Sequence, residues 1–572
     1  MANRYWVGGT GTWDNTAGTK WALTSGGAGG QAVPNATDDV FFDANSGANT
    51  VTIGSGTAVC RILTTTGFTG TLAFGTNSID IAGNNGTIFT GATTFTVTGT
   101  PVINCTYSGA SGTRSISATS VTEANSISFN ITAGTDVVGL ITGSILRSLN
   151  FTGFAGSYTN ATARTFYGNL TISTGMSITA GASTSTFAAT SGTQLITSNG
   201  KTLDFPITIN AVGATVRLVD ALTMGSTRTL NLNAGTFDAF NQNVTVGVFS
   251  SSNSNTRTLT MGSGLWTLSG TGTVWNTGTT TNLTFNVNTA NIVLSNTSGT
   301  GRTFTGGQLA FNKLTIGGTT GTSTLQIDGS TTLPSFTEIA STKTVAHTIT
   351  LNAGNISVAN WTVTGTAGNV VTVNSLSPTV QRNIIYTGSG TISMDYMSIQ
   401  SINFSYTLGA SNPYLVYAGA NSTNGGNNDG ILFQPTTVKA YRLTTGTSWT
   451  VPADWNNSNN TIHMIGAGGG GATAASSGNN RAAGGGGGGG GYTVLTNQTL
   501  TGAIPYTIGT SAQNANGGNT TFNTTNTAGG GSRGNATTAP TSSGGAGGTG
   551  TFAGGAGGAG GFGTVALTGY SS

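Results

Sequence analysis

Charge is what this 572-residue sequence has least of. Eighteen Lys and Arg with fifteen Asp and Glu make up 6% of it, against roughly 25% in an ordinary soluble domain. The net charge is only +3 and there is no basic run, so the electrostatic footprint of a nucleic-acid or anionic-membrane partner is missing. Common disordered chains combine high net charge with low hydrophobicity, and 36% hydrophobic residues exclude that class. Apolar runs are short, and none approaches the ~18 residues of a spanning helix. Cysteine is limited to Cys60 and Cys105, which argues against a disulfide framework and reads as two small buried hydrophobes. Ten prolines and glycine without a strict three-residue period exclude a collagen-like chain. The opening Met1-Ala-Asn-Arg-Tyr-Trp-Val-Gly-Gly has no apolar lead of the secretory kind, so synthesis in a cytoplasm is expected.

What the sequence has is alternation. Between about Val51 and Phe433 apolar residues recur in short period-two phrases such as Ile127-Ser-Phe129-Asn-Ile131, Leu230-Asn-Leu232, Leu283-Thr-Phe285, Leu325-Gln-Ile327 and Val371-Thr-Val373. That period places alternate side chains on one face of a strand, and Gly, Asn, Ser and Thr clusters between the phrases punctuate turns. Longer phrases repeat. Arg228-Thr-Leu-Asn-Leu-Asn-Ala-Gly returns as Arg257-Thr-Leu-Thr-Met-Gly-Ser-Gly and as His347-Thr-Ile-Thr-Leu-Asn-Ala-Gly, with shorter echoes opening at Arg114, Arg147, Arg164, Lys201 and Arg302. Self-similarity on this scale signals stacked units. The expected fold is all-β: a parallel β-helix, or β-solenoid, of ~15 coils at ~25 residues each, with a pair of β-sandwiches as the alternative. Stacking also accounts for the scarce charge. Each side chain repeats about every 4.8 Å along the axis, so a charged position becomes a like-charge ladder, whereas Thr, Ser and Asn ladders hydrogen-bond.

Four regions are expected. Residues 1–50, with Tyr5, Trp6, Trp13 and Trp21, form an aromatic-rich N-terminal cap or attachment region; residues 51–433 form the shaft; 434–465 connect; and 466–572 form a glycine-rich distal domain. In the last region 35 of 107 residues are Gly, including the unbroken Gly484 to Gly491, and only Arg481 and Arg533 are charged. Two patterned strands introduce it, Trp449-Thr-Val-Pro452 and Thr461-Ile-His-Met-Ile465, and Tyr492-Thr-Val-Leu495, Ile504-Pro-Tyr-Thr-Ile508 and Val565-Ala-Leu567 interrupt it. Glycine runs can form extended three-residue-per-turn helices of the polyproline II type that pair N–H and C=O groups with their neighbours. The expected state is an ordered β and polyglycine II-type domain, with a mobile tail as the alternative.

Trp449-Thr-Val-Pro-Ala-Asp, followed by Ile462-His-Met-Ile-Gly-Ala-Gly-Gly-Gly-Gly and recurrent Gly runs, resembles the glycine-rich C-terminal domain of tailed-phage fibre proteins with polyglycine-sandwich tips. The upstream text, from Tyr5-Trp-Val-Gly-Gly-Thr-Gly-Thr-Trp13 through the Arg-Thr-Leu repeats, is similar to repeat proteins of environmental phages and bacteria. The resemblance implies a virion tail fibre or similar appendage, docked to other virion proteins through its N-terminal region. It would recognise a host surface glycan or outer-membrane protein through loops at its tip, as a homotrimer or a monomer. Those loops are Thr473 to Ala483, Thr510 to Ala528 and Ser532 to Ser543. Their candidate receptor-binding residues are Asn479, Asn480, Arg481, Asn514, Asn516, Asn519, Phe522 and Arg533, amides, cations and an aromatic on a rigid scaffold. The competing class is a bacterial extracellular adhesin or self-assembling surface filament.

Enzyme chemistry finds little material. Glycoside hydrolysis, the tailspike-like reading, usually needs two carboxylates ~5–9.5 Å apart, and the sequence has two Glu, Glu123 and Glu338, with scattered Asp. Asp38, Asp39 and Asp43 read as turn caps; an Asp204 and Arg228 meeting across coils is the kind of chance pair a lyase could use. His347 and His463 stand alone and read as surface residues. No metal spacing, nucleophile elbow or phosphate loop is present. The sequence therefore reads as non-enzymatic, with no metal, no cofactor, no nucleic acid and no membrane insertion.

Overall fold

In a computed structural model, the protein is described at residues 2–16, 18–91, 94–119, 122–318, 324–328, 334–352, 354–387, 391–405, 416–433, 439–452, 455–473, 476–477, 480–482, 484–536 and 541–563. Two compact units divide it, Met1–Ala440 and Tyr441–Ser572.

The first unit is an all-β parallel solenoid of about 15 turns. Its short strands come from the alternating phrases: Val371–Ser375 and Leu222–Met224 bury every second side chain, so the polar alternates face out. Each strand pairs in parallel with the equivalent strand of the next coil. Val138 pairs with Tyr158, 20 residues on, and Ile356 with Ile384, 28 residues on. The variable coil length explains why the repeated phrases return at irregular intervals. Parallel registers running from coil to coil identify a solenoid rather than two sandwiches, whose sheets are antiparallel.

The inward residues form one continuous core. Aromatic rings stack through it, as in Phe249–Trp275–Phe304, where neighbouring centroids lie 4.5 and 5.7 Å apart. Outward polar residues form ladders. The Asn150 amide donates to Asn130, Asn130 to Asn104 (3.0 Å) and Asn104 to Asp80 (2.8 Å). Such a ladder satisfies each amide with its neighbour in the next coil. Five charge pairs on the solenoid are opposite-sign neighbours that join adjacent coils: Arg61–Asp39, Arg114–Asp136, Arg217–Asp238, Arg228–Asp204 and Lys313–Glu338.

The ladder already begins inside residues 1–50. Asn3–Trp6 pairs in parallel with Asp39–Phe41, and its other edge is covered by the antiparallel Trp21–Ala22. That short strand closes an edge that would otherwise template association. Trp6, Trp13 and Trp21 are fully buried around Phe42. Asp38 accepts from Ala2 N and pairs with Arg4, Asp39 pairs with Arg61, and Asp43 caps the 3-10 turn Ala44–Ser46. All three acids thus do local structural work at the head of the stack.

In five of its copies the repeated basic-hydroxyl-apolar phrase has a structural cause. Arg114, Arg164, Arg257, Arg302 and His347 point inward and are almost fully buried. Arg257 uses its five N–H donors on Ser251 Oγ and on the carbonyls of Ser251, Asn255, Thr279 and Thr281, drawn from two coils. Turn carbonyls facing a dry interior need donors, and one guanidinium supplies them. His347, expected at the surface, is instead 3% exposed. It takes the corner position that arginine fills elsewhere. Cys60 and Cys105 are free and buried. Both are register partners of Ile81, which places them two rungs, about 9.6 Å, apart, too far for a disulfide.

In the second unit, Ser448–Thr450 and Thr461–Ile465 are strands, and each pairs antiparallel with a later one, Ala503–Thr507 and Tyr492–Thr496 respectively. Thr520–Phe522 and Asn526–Ala528 extend the first pair. A small separate core gathers Met464, Leu500, Ile504, Tyr506, Phe522 and Ala528 with Trp449 and Trp455 against it. Val565-Ala-Leu567 lies outside the described residues.

The glycine runs beside this core bond to one another at every third residue. Gly466, Gly469 and Ala472 donate to Gly491, Gly488 and Gly485. Gly485, Gly488 and Gly491 donate in turn to Asn535, Ser532 and Gly529, while Gly486 and Gly489 donate to Gly558 and Gly555. Run 484–491 is thus bonded on several sides. A Cβ on Gly487, Gly488 or Gly490 would come within 2.0 Å or less of a neighbouring carbonyl oxygen. The absence of side chains is a packing requirement there.

Candidate functional site

Three glycine-rich segments end at the same place. Segment 466–472 receives bonds from Gly531 and Gly534 at Ala467 and Gly470, which makes 529–535 parallel to it. It donates from Ala467 and Gly470 to Gly518 and Ala515, which makes 515–518 antiparallel. The chain therefore leaves the first two segments, and enters the third, at one common end. Thr473, Asn514 and Asn535 stand at these ends, next to Arg533.

Together they surround a concavity of about 390 Å³ lined by Ala472, Thr473, Asn514, Arg533, Gly534, Asn535 and Ala536. Its wall is held by bonds from every side. Asn514, with φ +58°, accepts from Thr473 N at 2.6 Å and donates from Nδ2 to Thr473 Oγ1. Arg533 N donates to Asn516 Oδ1 at 2.8 Å. Asn535 donates from Nδ2 to Ser543 Oγ at 2.9 Å. On either side of Arg533, Ser532 N bonds Ala546 O and Gly534 N bonds Gly470 O. The Arg533 side chain is exposed on a pinned backbone.

The candidates from the sequence thus separate. Asn514 and Arg533 come together in the concavity. Asn516 supports Arg533 from behind, and Asn519 accepts from Gly530 N at 2.9 Å, tying two segments. Phe522 does not reach the surface: it is 5% exposed and packs 6.2 Å from Trp449, so it is corrected from receptor contact to core residue. Asn480 and Arg481 lie on the strand Asn480–Ala482, which pairs with Ser476–Ser477 and Gly560–Gly563. Asn479 lies outside the described residues. Thr473 and Asn535 were not singled out in the sequence; Ala472 separates Thr473 from the run Gly468 to Gly471, and Ser532-Arg-Gly separates Asn535 from Gly529 to Gly531, so each stands shortly after a glycine run.

Elsewhere, a second hollow of about 360 Å³ lies on the solenoid over the stacked rings of Phe311 and Phe336 and has no charged residue among its described lining. Asp204 and Arg228 do meet, at 2.6 Å, in the same cross-coil pattern as the other ion pairs. Ser341 Oγ lies 2.9 Å from His347 Nε2, while His347 Nδ1 lies 2.9 Å from the Val345 carbonyl. A carbonyl can only accept, so Nδ1 carries the proton in the neutral ring and Ser341 donates to Nε2, the polarity of a nucleophile and its base. The same six-residue spacing joins Ser251 to Arg257 and Tyr158 to Arg164. The Ser341–His347 bond is a variant of this corner closure. Among the described residues no group of three His, Cys, Asp or Glu could hold a metal ion, and no helix is long and apolar enough to cross a membrane.

No family model, curated protein or solved structure matches the chain.

Proposed function

We propose that the chain is a virion structural protein, a tail fibre or similar appendage, whose glycine-rich C-terminal unit contacts the host surface. The observation that carries this reading is the convergence of Thr473, Asn514, Arg533 and Asn535 at one end of the bonded glycine segments. Loops fixed on a rigid scaffold are where recognition is usually built. The three-residue spacing of the bonds supports a polyglycine II-type sandwich as that scaffold. A solenoid with hydrogen-bonded polar ladders and a covered first edge suits an extended shaft that does not aggregate. Docking to other virion proteins falls to the N-terminal region, and the receptor is a host glycan or outer-membrane protein.

Mass spectrometry of virus particles purified from a lysate containing the chain tests the assignment. Co-purification with capsid and tail proteins at fixed stoichiometry is the expected result. Recovery only with the bacterial envelope would overturn it in favour of a bacterial adhesin.

A further inference from the structure

We propose that the concavity at the end of the glycine segments is a subsite for an anionic sugar, with Arg533 holding the sugar's carboxylate or phosphate. The inference rests on the recognition reading above and names its ligand class.

Charge comes first. Among the described residues, Arg533 is the one charged side chain lining the concavity. From Tyr441 to Ser572 the sequence holds three arginines, Arg442, Arg481 and Arg533, and a single acid, Asp454. No acidic side chain among the described lining residues neutralises Arg533. A guanidinium presents a planar fork that matches a carboxylate or phosphate through two parallel N–H donors.

The rest of the lining selects a sugar over a protein. Asn514, Asn535 and Thr473 supply amides and a hydroxyl, and the apolar lining consists of Ala472 and Ala536. A protein partner draws its affinity from aromatic or aliphatic anchors buried in pockets, and the described lining offers no such pocket wall. A volume of about 390 Å³ lies within the ~300–1,000 Å³ of small-ligand sites. The polar groups are also pre-oriented: the Asn514 amide is held by Thr473, the Asn535 amide by Ser543, and the Arg533 backbone by Asn516. Prior ordering lowers the entropic cost of binding.

Calorimetric titration of the full chain tests the proposal with three probes: an oligosaccharide of glucuronic acid, its carboxyl-reduced counterpart, and a hexose phosphate. The acidic or the phosphorylated probe is expected to bind at least ~10-fold tighter than the reduced one, and the tighter of the two identifies the anionic group. Arg533→Gln removes the preference while keeping the backbone bond to Asn516, and an unchanged melting curve shows that the unit still folds. Equal binding of the charged and reduced probes, or full affinity in Arg533→Gln, would overturn the proposal. If the chain adsorbs to cells yet binds no anionic sugar, the subsite assignment fails and the recognition reading stands; if it neither adsorbs nor binds, both fail.

Discussion

Arg217 and Asp238 face each other across one rise of the solenoid, as register partners on adjacent coils with Nε and Oδ2 2.8 Å apart. The Arg217 guanidinium also lies 4.6 Å from the ring centre of Phe240, whose N–H donates to Asp238. The pair shows one way the stack admits charge: a cation in one coil is answered by an acid in the next. Asp238→Arg should therefore lower stability by roughly 1 kcal/mol, since the side chains are partly exposed and exposed pairs are weak. The double swap Arg217→Asp with Asp238→Arg should recover most of the ion-pair contribution. Chemical denaturation of wild type and these two variants measures this, and no recovery in the double swap would contradict the ladder argument.

Arg257 makes the opposite kind of contribution. Its buried guanidinium satisfies four carbonyls from two coils. Arg257→Leu leaves them without a donor in the interior, at an expected cost of about 3–5 kcal/mol. A denaturation midpoint within experimental error of wild type would show that those carbonyls find other partners.

Glycine should matter by position rather than by number. A Cβ on Gly488 would lie 2.0 Å from the Ala546 oxygen, whereas one on Gly555 meets nothing within 4 Å. Gly488→Ala is expected to cost about 3 kcal/mol or more and Gly555→Ala about 0.5 kcal/mol or less. Amide hydrogen exchange across the second unit reads the difference. Equal tolerance of both changes would mean that the runs do not pack through these bonds.

Lys343 should contribute stability to the solenoid in mildly basic solution. Burial, and then the Arg302 charge, lower the Lys343 ammonium to about 8, whereas an unfolded lysine titrates near 10.4. Between these values the unfolded chain holds more protons, so folding becomes more favourable as pH rises. His347, lowered by burial and by Lys343 and Arg302 against the raising effect of the Val345 carbonyl, gives the same sign on the acid side, where stability is lost as pH falls below about 6.5. Burial also raises the Cys60 and Cys105 thiols, which pulls stability down as unfolded cysteines ionise near 8.5. The lysine is therefore read by difference: between pH 7.5 and 9.5 the slope of melting temperature against pH should be lower in Lys343→Met than in wild type. The range stops there because Tyr158, raised by burial, adds to the downward pull once unfolded tyrosines ionise near 10. An unchanged slope in Lys343→Met would contradict the assignment.

Much of the solenoid was legible because its signal is local. Phrases such as Leu283-Thr-Phe285 state their own period, and the recurring Arg-Thr-Leu text states that coils repeat. Which way a basic residue points was not legible, because a period of two has two phases: Arg257 and His347 face in, while Arg228 is partly exposed. Pairing partners were hidden for a similar reason. Trp449 and Ile462 lie in neighbouring strands of sequence, yet their partners are Ile504 and Leu495, chosen by long-range packing. Phe522 was not legible either, since Thr520-Thr-Phe522 holds one apolar residue and states no period; its burial comes from packing against Trp449. The concavity required three dimensions, because Thr473, Asn514 and Asn535 meet only through the directions of the segments that carry them.

Adsorption to bacterial cells of the full chain and of a chain ending at Ala440 tests the central claim most directly. The core of the first unit is separate from that of the second, so the shortened chain should keep its solenoid, which its melting curve verifies. Binding by the full chain and none by the shortened one is the predicted result. Equal binding by both would contradict the claim that recognition resides in the glycine-rich unit.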